Sequence, residues 1–86
     1  MASYNIEWKA SAEKDLRRIH TEFVPRIVQA VESLGEDPFP PGHRKLVGGT
    51  SSYRVRVGDY RVVYQVNQEK RVVEIFRVRH RKDIYR

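Results

Sequence analysis

The 86-residue chain has no cysteine, which excludes disulfides and any reaction that needs a thiolate. No apolar run approaches the length of a membrane helix, and the polar amino terminus lacks the look of a secretory signal. The expectation is a soluble protein of the reducing cytoplasm with no membrane partner. Repeats, linkers and low-complexity segments are also missing, so residues 1–86 read as one domain with one modest core. His20 and His43 have no partner at metal-ligand spacing. Glu7, Glu13 and Glu74 form no evident acidic pair, and no glycine-rich phosphate loop is visible. Neither a metal nor a cofactor is therefore expected.

What the chain does have is positive charge, unevenly placed. The net charge is +6. Residues 1–43 hold five Lys/Arg against seven Asp/Glu, a net of −2, whereas residues 44–86 hold twelve against four, a net of +8. An acidic half joined to a strongly basic half suggests a polyanion-binding face. Arginine outnumbers lysine twelve to five. Its planar fork pairs with phosphate in a bidentate manner and stacks on bases.

The most informative stretch runs from Tyr53 to Tyr64. Val55 and Val57 alternate with Arg54 and Arg56, the period of a strand with one buried and one open face. Gly58-Asp59 is a two-residue turn of the kind that closes a tight hairpin. With those two residues as the loop, Val57 pairs with Tyr60, Arg56 with Arg61, Val55 with Val62 and Tyr53 with Tyr64. Paired residues share a face, so Arg54, Arg56 and Arg61 project from one side, and Tyr53, Tyr60 and Tyr64 belong to the core on the other. Like charges opposite each other cost stability. Three aligned guanidinium groups are better explained by an anion than by folding.

The rest of the chain supplies the support. Tyr4, Ile6 and Trp8 alternate with polar residues and predict an opening strand. A helix follows from about Ser11, read as its N-cap, with Ala12, Leu16 and Ile19 as the apolar stripe. Pro25 fits the first turn of a second helix whose buried face is Ile27, Val31 and Leu34 and which Gly35 ends. Residues 36–43 form a loop, and Gly48-Gly49 marks another turn. Three strands are predicted at about 52–57, 60–67 and 71–79. The last, apolar on both faces around Val72-Val73-Glu74-Ile75-Phe76, suits a central position. Its register depends on the turn at Gln68–Lys70, so the residues it adds to the arginine face stay open. The fold class is α+β: a small antiparallel sheet of about four strands with an N-terminal helical hairpin packed on one face.

The set Lys45-Leu46-x-Gly, Tyr53-Arg-Val-Arg, Gly58-x-Tyr60-Arg61-Val-Val-Tyr64 and Val78-x-His80-Arg81-x-Asp83-Ile84-Tyr85 resembles the RelE/ParE toxin superfamily of type II toxin–antitoxin modules, and the RelE branch most closely. The resemblance covers nearly the whole chain. It implies a ribosome-dependent endoribonuclease that cuts translated mRNA in the A site without a metal, and a cognate antitoxin that inhibits it. The toxin is expected as a monomer or as a toxin–antitoxin heteromer. Carried over by position, the family's basic strand pair falls on Arg54 and Arg56, its turn arginine on Arg61, its late arginine on Arg81 and its terminal tyrosine on Tyr85. Arginine stands at Arg54 and Arg56 where relatives often have lysine, which removes the easiest proton acceptor. With one residue after Tyr85, the C-terminal helix of longer relatives is not expected.

Such a reaction uses the ribose 2′-oxygen against the adjacent phosphate. It needs a proton acceptor, cationic stabilisation of the phosphorane and a proton for the 5′-oxygen. Arg61 and Arg81 are the candidate phosphate clamps, aided by Arg56, with Arg54 positioning the backbone or serving in proton transfer. His80 is the chemically natural proton shuttle, and Tyr85 the candidate to stack on the splayed base and bond the reacting oxygens. Arg44, Lys45, Arg77, Arg79 and Lys82 are the further candidates for RNA contact. Two other readings stay open: a ParE-like non-catalytic toxin that binds DNA gyrase, and an inactive relative that only binds RNA or antitoxin.

Overall fold

The alternating stretches at the two ends of the chain meet in one sheet. The computed structural model describes residues 3–46 and 52–84. Along the chain run β1 (Asn5–Trp8), α1 (Ala10–Arg18), α2 (Val24–Ser33), β2 (Arg44–Lys45), β3 (Ser52–Val57), β4 (Tyr60–Asn67), β5 (Val72–His80) and a four-residue α3 (Arg81–Ile84). The sheet order is β1-β5-β4-β3-β2. The fold is the expected α+β one, but the sheet is mixed rather than antiparallel and has one strand more. β1 lies parallel to β5 while the other ladders are antiparallel, and the short β2 makes a fifth strand. The expected turn at Gly48-Gly49 lies outside the described residues.

The β3–β4 hairpin has the register that its turn predicts: Val57 opposite Tyr60, Arg56 opposite Arg61, Val55 opposite Val62 and Tyr53 opposite Tyr64. Gly58 takes φ +59°, and Asp59 is not among the residues at positive φ. A positive φ at the first turn residue alone is the pattern of a type II′ turn, which asks for glycine there. β5 is interior, as its apolar character suggests, and carries a bulge. Val63 faces Arg77 and Tyr64 faces Ile75, leaving Phe76 as the extra residue. One extra residue reverses the alternation. Val73, Ile75 and Val78 therefore all face the core, although 75 and 78 differ in parity.

Both helices cover the same face of the sheet. Ala12 of α1, Ile27 and Val31 of α2, and Leu34 after it pack on Val55, Val62, Tyr64, Val73, Ile75 and Val78, all buried. Each fully buried aliphatic side chain contributes about 1.5–3 kcal/mol. Tyr64 completes its burial by donating its hydroxyl to the Pro38 carbonyl at 2.7 Å. That burial raises the Tyr64 hydroxyl above its ordinary value of 10.0, with smaller effects from Tyr53 and Asp37. Pro25 stands in the first turn of α2, and Gly35 follows its C-cap. A Cβ on Gly35 would meet the Tyr4 carbonyl oxygen at 2.9 Å, so only glycine lets the chain pass so close to β1.

The start of α1 differs from the sequence reading. The helix begins at Ala10 after Lys9, and Ser11 is not its N-cap. The Ser11 hydroxyl instead donates to the Phe76 carbonyl at 2.6 Å. β1 ends opposite Ile75, so the edge of β5 beyond it needs other partners. The Lys9 N–H donates to the Ile75 carbonyl at 2.9 Å, Ser11 takes the next carbonyl, and the Asp15 carboxylate accepts the Val78 N–H at 2.9 Å. α1 thus closes an edge that a strand would otherwise have to cover. Among the described residues no helix is long and apolar enough to cross a membrane.

Candidate nucleic-acid interface

The face of the sheet turned away from the helices carries the arginines. Three pairings build it: Arg56 with Arg61, Arg61 with Arg79, and Arg44 with Arg54. The bulge adds Arg77, opposite Val63. Residues paired across strands share a face, so six arginines form two rows around Val63. One row is Arg56–Arg61–Arg79 on β3, β4 and β5. The other is Arg44–Arg54–Val63–Arg77, two residues, or about 7 Å, further along the strands. Gly42, Arg44, Arg54, Arg56 and Arg61 line an open cleft of about 370 Å³. Arg56 and Arg44 are exposed and the others half-exposed. The Arg56 Nε donates back to the Gly58 carbonyl at 3.1 Å, which folds this side chain toward the turn.

Arg54, Arg56 and Arg61 are therefore brought together as the hairpin requires. Arg44 joins them through β2, an element too short to show in the alternation. Arg79 stands directly beside Arg61, which the unread register of β5 had hidden. Two candidates are elsewhere. Lys45 pairs with Tyr53 and so projects from the opposite face, because adjacent strand residues alternate. His80 pairs with Tyr60, with the rings edge to face at 5.2 Å. It lies on the core side, where it helps line a cavity of about 190 Å³ with Phe23, Arg26, Val57, Asp59 and Tyr60. The bulge at Phe76 is the reason: it sets 78 and 80 on the core side and 77 and 79 on the open side. His80 Nδ1 accepts the Lys82 N–H at 3.2 Å. Arg81 and Lys82 are exposed on α3. The Arg81 N–H donates to the Asp59 carbonyl at 2.7 Å, which ties α3 to the turn between Arg56 and Arg61. Tyr85 lies outside the described residues.

One residue of this region escaped the sequence reading. Asp15 is 7% exposed and the only buried charged residue among those described. Besides the Val78 N–H, it accepts two bonds from Arg77, at 3.0 Å from Nε and 3.2 Å from Nη2. The Arg79 Nε lies 3.9 Å from the same carboxylate. The signal was present: Asp15 falls three residues after Ala12 and one before Leu16, on the apolar stripe of α1. At the other end of the open face the charge reverses. Glu7 and Glu74 face each other across β1 and β5, and Lys9 bridges them at 2.7 and 3.0 Å. Hydrogen bonds to Glu7 and then Glu74 raise the Lys9 ammonium above its ordinary 10.5. Among the described residues no three of His, Cys, Asp and Glu gather in a way that could hold a metal ion. The open face offers fixed cationic donors in a plane, an arrangement suited to phosphates.

Comparison with known proteins agrees with this architecture. The family model for the ParE toxin of the type II toxin–antitoxin system parDE matches residues 6–85. Toxin RelG of Mycobacterium tuberculosis is 34% identical over 86 residues, covering 96% of this chain and 97% of the relative. The structure of an archaeal RelE–RelB complex from Pyrococcus horikoshii superposes with a TM-score of 0.80 at 30% identity, over 94% of this chain and 97% of the other. Isolated E. coli RelE toxin superposes with a TM-score of 0.77 at 26% identity, over 91% and 84%.

Proposed function

This chain belongs to the RelE/ParE toxin superfamily of type II toxin–antitoxin modules, and from that premise we propose that it is a ribosome-dependent endoribonuclease cleaving translated mRNA in the A site. The observation that carries the proposal is the direct register of Arg56, Arg61 and Arg79 on three adjacent strands of an open face. In the proposed reaction the ribose 2′-oxygen forms a bond to the adjacent phosphorus. The bond from phosphorus to the 5′-oxygen breaks. A 2′,3′-cyclic phosphate and a 5′-hydroxyl result, the first oxygen having lost a proton and the second gained one. Arg61 and Arg79, with Arg56 beside them and Arg81 on the adjoining α3, donate hydrogen bonds to the phosphate oxygens as their charge grows. Guanidinium groups are donors without acceptor capacity. The row therefore stabilises the phosphorane and leaves proton acceptance to another group, which agrees with a dependence on the ribosome. Tyr85 is retained as the candidate for base stacking. The site of action is then the cytoplasm.

The RelE–RelB complex of the P. horikoshii relative motivates a cognate antitoxin as partner. An acidic antitoxin segment covering the arginine rows would inhibit by occlusion, and its affinity should fall as salt rises. The ParE name of the matched family favours a second reading, a non-catalytic toxin that binds DNA gyrase. Primer extension on cellular mRNA after brief expression separates the two. Cuts within translated codons, lost when translation is blocked, support the nuclease. DNA breaks and filamentation with intact mRNA support the gyrase reading.

A further inference from the structure

Asp15 is buried on the helix-covered side and is no part of the arginine rows, yet its carboxylate bonds to Arg77 and lies beside Arg79. It grips the Val78 N–H between them. The Arg79 Nε is itself buried and makes no hydrogen bond. The rest of the side chain is half-exposed, so what lies nearest to the buried Nε is the Asp15 carboxylate at 3.9 Å. Arg79 also stands opposite Arg61, where two like charges repel and would swing apart if free. The edge of β5 needs only one acceptor for the Val78 N–H. A neutral side chain would supply that, and an ionised one at this depth carries a desolvation cost that its partners must offset.

We propose that Asp15 is a positioning residue, whose carboxylate reaches around the β5 edge to hold Arg77 and Arg79 in place and so keeps Arg79 beside Arg61. This rests on the nuclease reading for its effect on rate, but not for its effect on the arginines. Asp15→Asn keeps an oxygen for the Val78 N–H and nearly the same volume, and removes the charge. Positioning and bulk electrostatics then predict opposite changes. Losing one negative charge should leave affinity for a short single-stranded RNA unchanged or raise it. Releasing Arg77 and Arg79 should slow single-turnover cleavage by about 10-fold or more, the loss expected when a charge-assisted hydrogen bond to the phosphate is misplaced. In an Arg79→Gln background the same change should have a clearly smaller effect on rate, since residues that act through one another are not additive.

The test measures both quantities on the full chain, alongside nitrogen-15 spectra of the arginine Nε–H groups. The expected result is a rate loss without an affinity loss, and Arg77 and Arg79 Nε–H signals that broaden in Asp15→Asn while the β5 amides stay protected. Rate and affinity falling together, or an undiminished effect in the Arg79→Gln background, would overturn the proposal. So would unchanged Nε–H signals. If the wild type cleaves no mRNA on programmed ribosomes, where the rates are measured, the nuclease reading fails, and the spectra still decide whether Asp15 orders the arginines. Should Asp15→Asn not fold, Asp15→Glu keeps the charge and moves it by one methylene. Slower cleavage at unchanged affinity then supports positioning, and a wild-type rate overturns it.

Discussion

His80 ends β5 in register with the core-facing residues, its ring against Tyr60, and lines a cleft with Asp15, Arg77 and Arg79 at the β5 edge rather than standing in the guanidinium rows. A general acid or base contributes about 10²- to 10⁴-fold to a rate. His80→Gln is therefore expected to lose far less than 10²-fold in single-turnover cleavage, and to leave the shape of the pH–rate profile unchanged. A fall of that size would return the proton shuttle to His80. Tyr64 makes a different kind of contribution, to stability. Its buried hydroxyl bonds the Pro38 carbonyl, and Tyr64→Phe should cost about 1–3 kcal/mol at neutral pH by leaving that acceptor unpaired. Because folding raises its pKa above 10.0, the contribution is full below pH 10. It is lost as the pH climbs further, since the unfolded chain ionises first. Lys9, raised above 10.5, shifts stability in the same direction. Denaturant midpoints measured from about pH 8 to 11 should thus fall more steeply for the wild type than for Tyr64→Phe. Parallel curves would contradict this account of Tyr64.

The β3–β4 hairpin is the element on which the arginine geometry depends. Gly58 holds φ +59°, and a Cβ there would meet nothing within 4 Å, so the cost of a side chain is conformational alone. Gly58→Ala should destabilise by about 1–2 kcal/mol and lower the midpoint by about 4–8 °C per kcal/mol. An unchanged melting temperature would show that the turn tolerates a side chain. This hairpin was legible in the sequence because two strict alternations flank a turn dipeptide, which fixes the register without knowledge of the rest. β5 was legible as a strand but not in its facing. Its bulge at Phe76 leaves no mark in a run that is apolar on both sides, and the bulge decides that Arg79 joins Arg61 while His80 does not. β2 was not legible, since two residues carry no period and its pairing with β3 is a tertiary event. The helices were legible from their stripes, with Asp15 overlooked because a charge on an apolar stripe reads as a fault in the pattern rather than as an anchor.

At the scale of the molecule the sheet divides the chain into two surfaces. One is closed by the helices and built from Ala12, Ile27, Val31 and Leu34 on valines, Ile75 and Tyr64. The other is open, with arginine rows at the end near the β3–β4 turn and the Glu7–Lys9–Glu74 group at the end near Asn67 and Val72. The charge imbalance between the two halves of the sequence becomes a polarity along this open face, since β1 brings Glu7 to one end and β2 to β5 bring the arginines to the other. The central claim is that the arginine end holds the scissile phosphate. Single-turnover cleavage of a codon in the A site of programmed ribosomes tests it most directly, with wild type compared with Arg61→Ala and both shown to be folded by circular dichroism. The account predicts a slower variant by about 10²- to 10³-fold, or roughly 2.7–4 kcal/mol of lost transition-state stabilisation. Equal rates for the two proteins would contradict it.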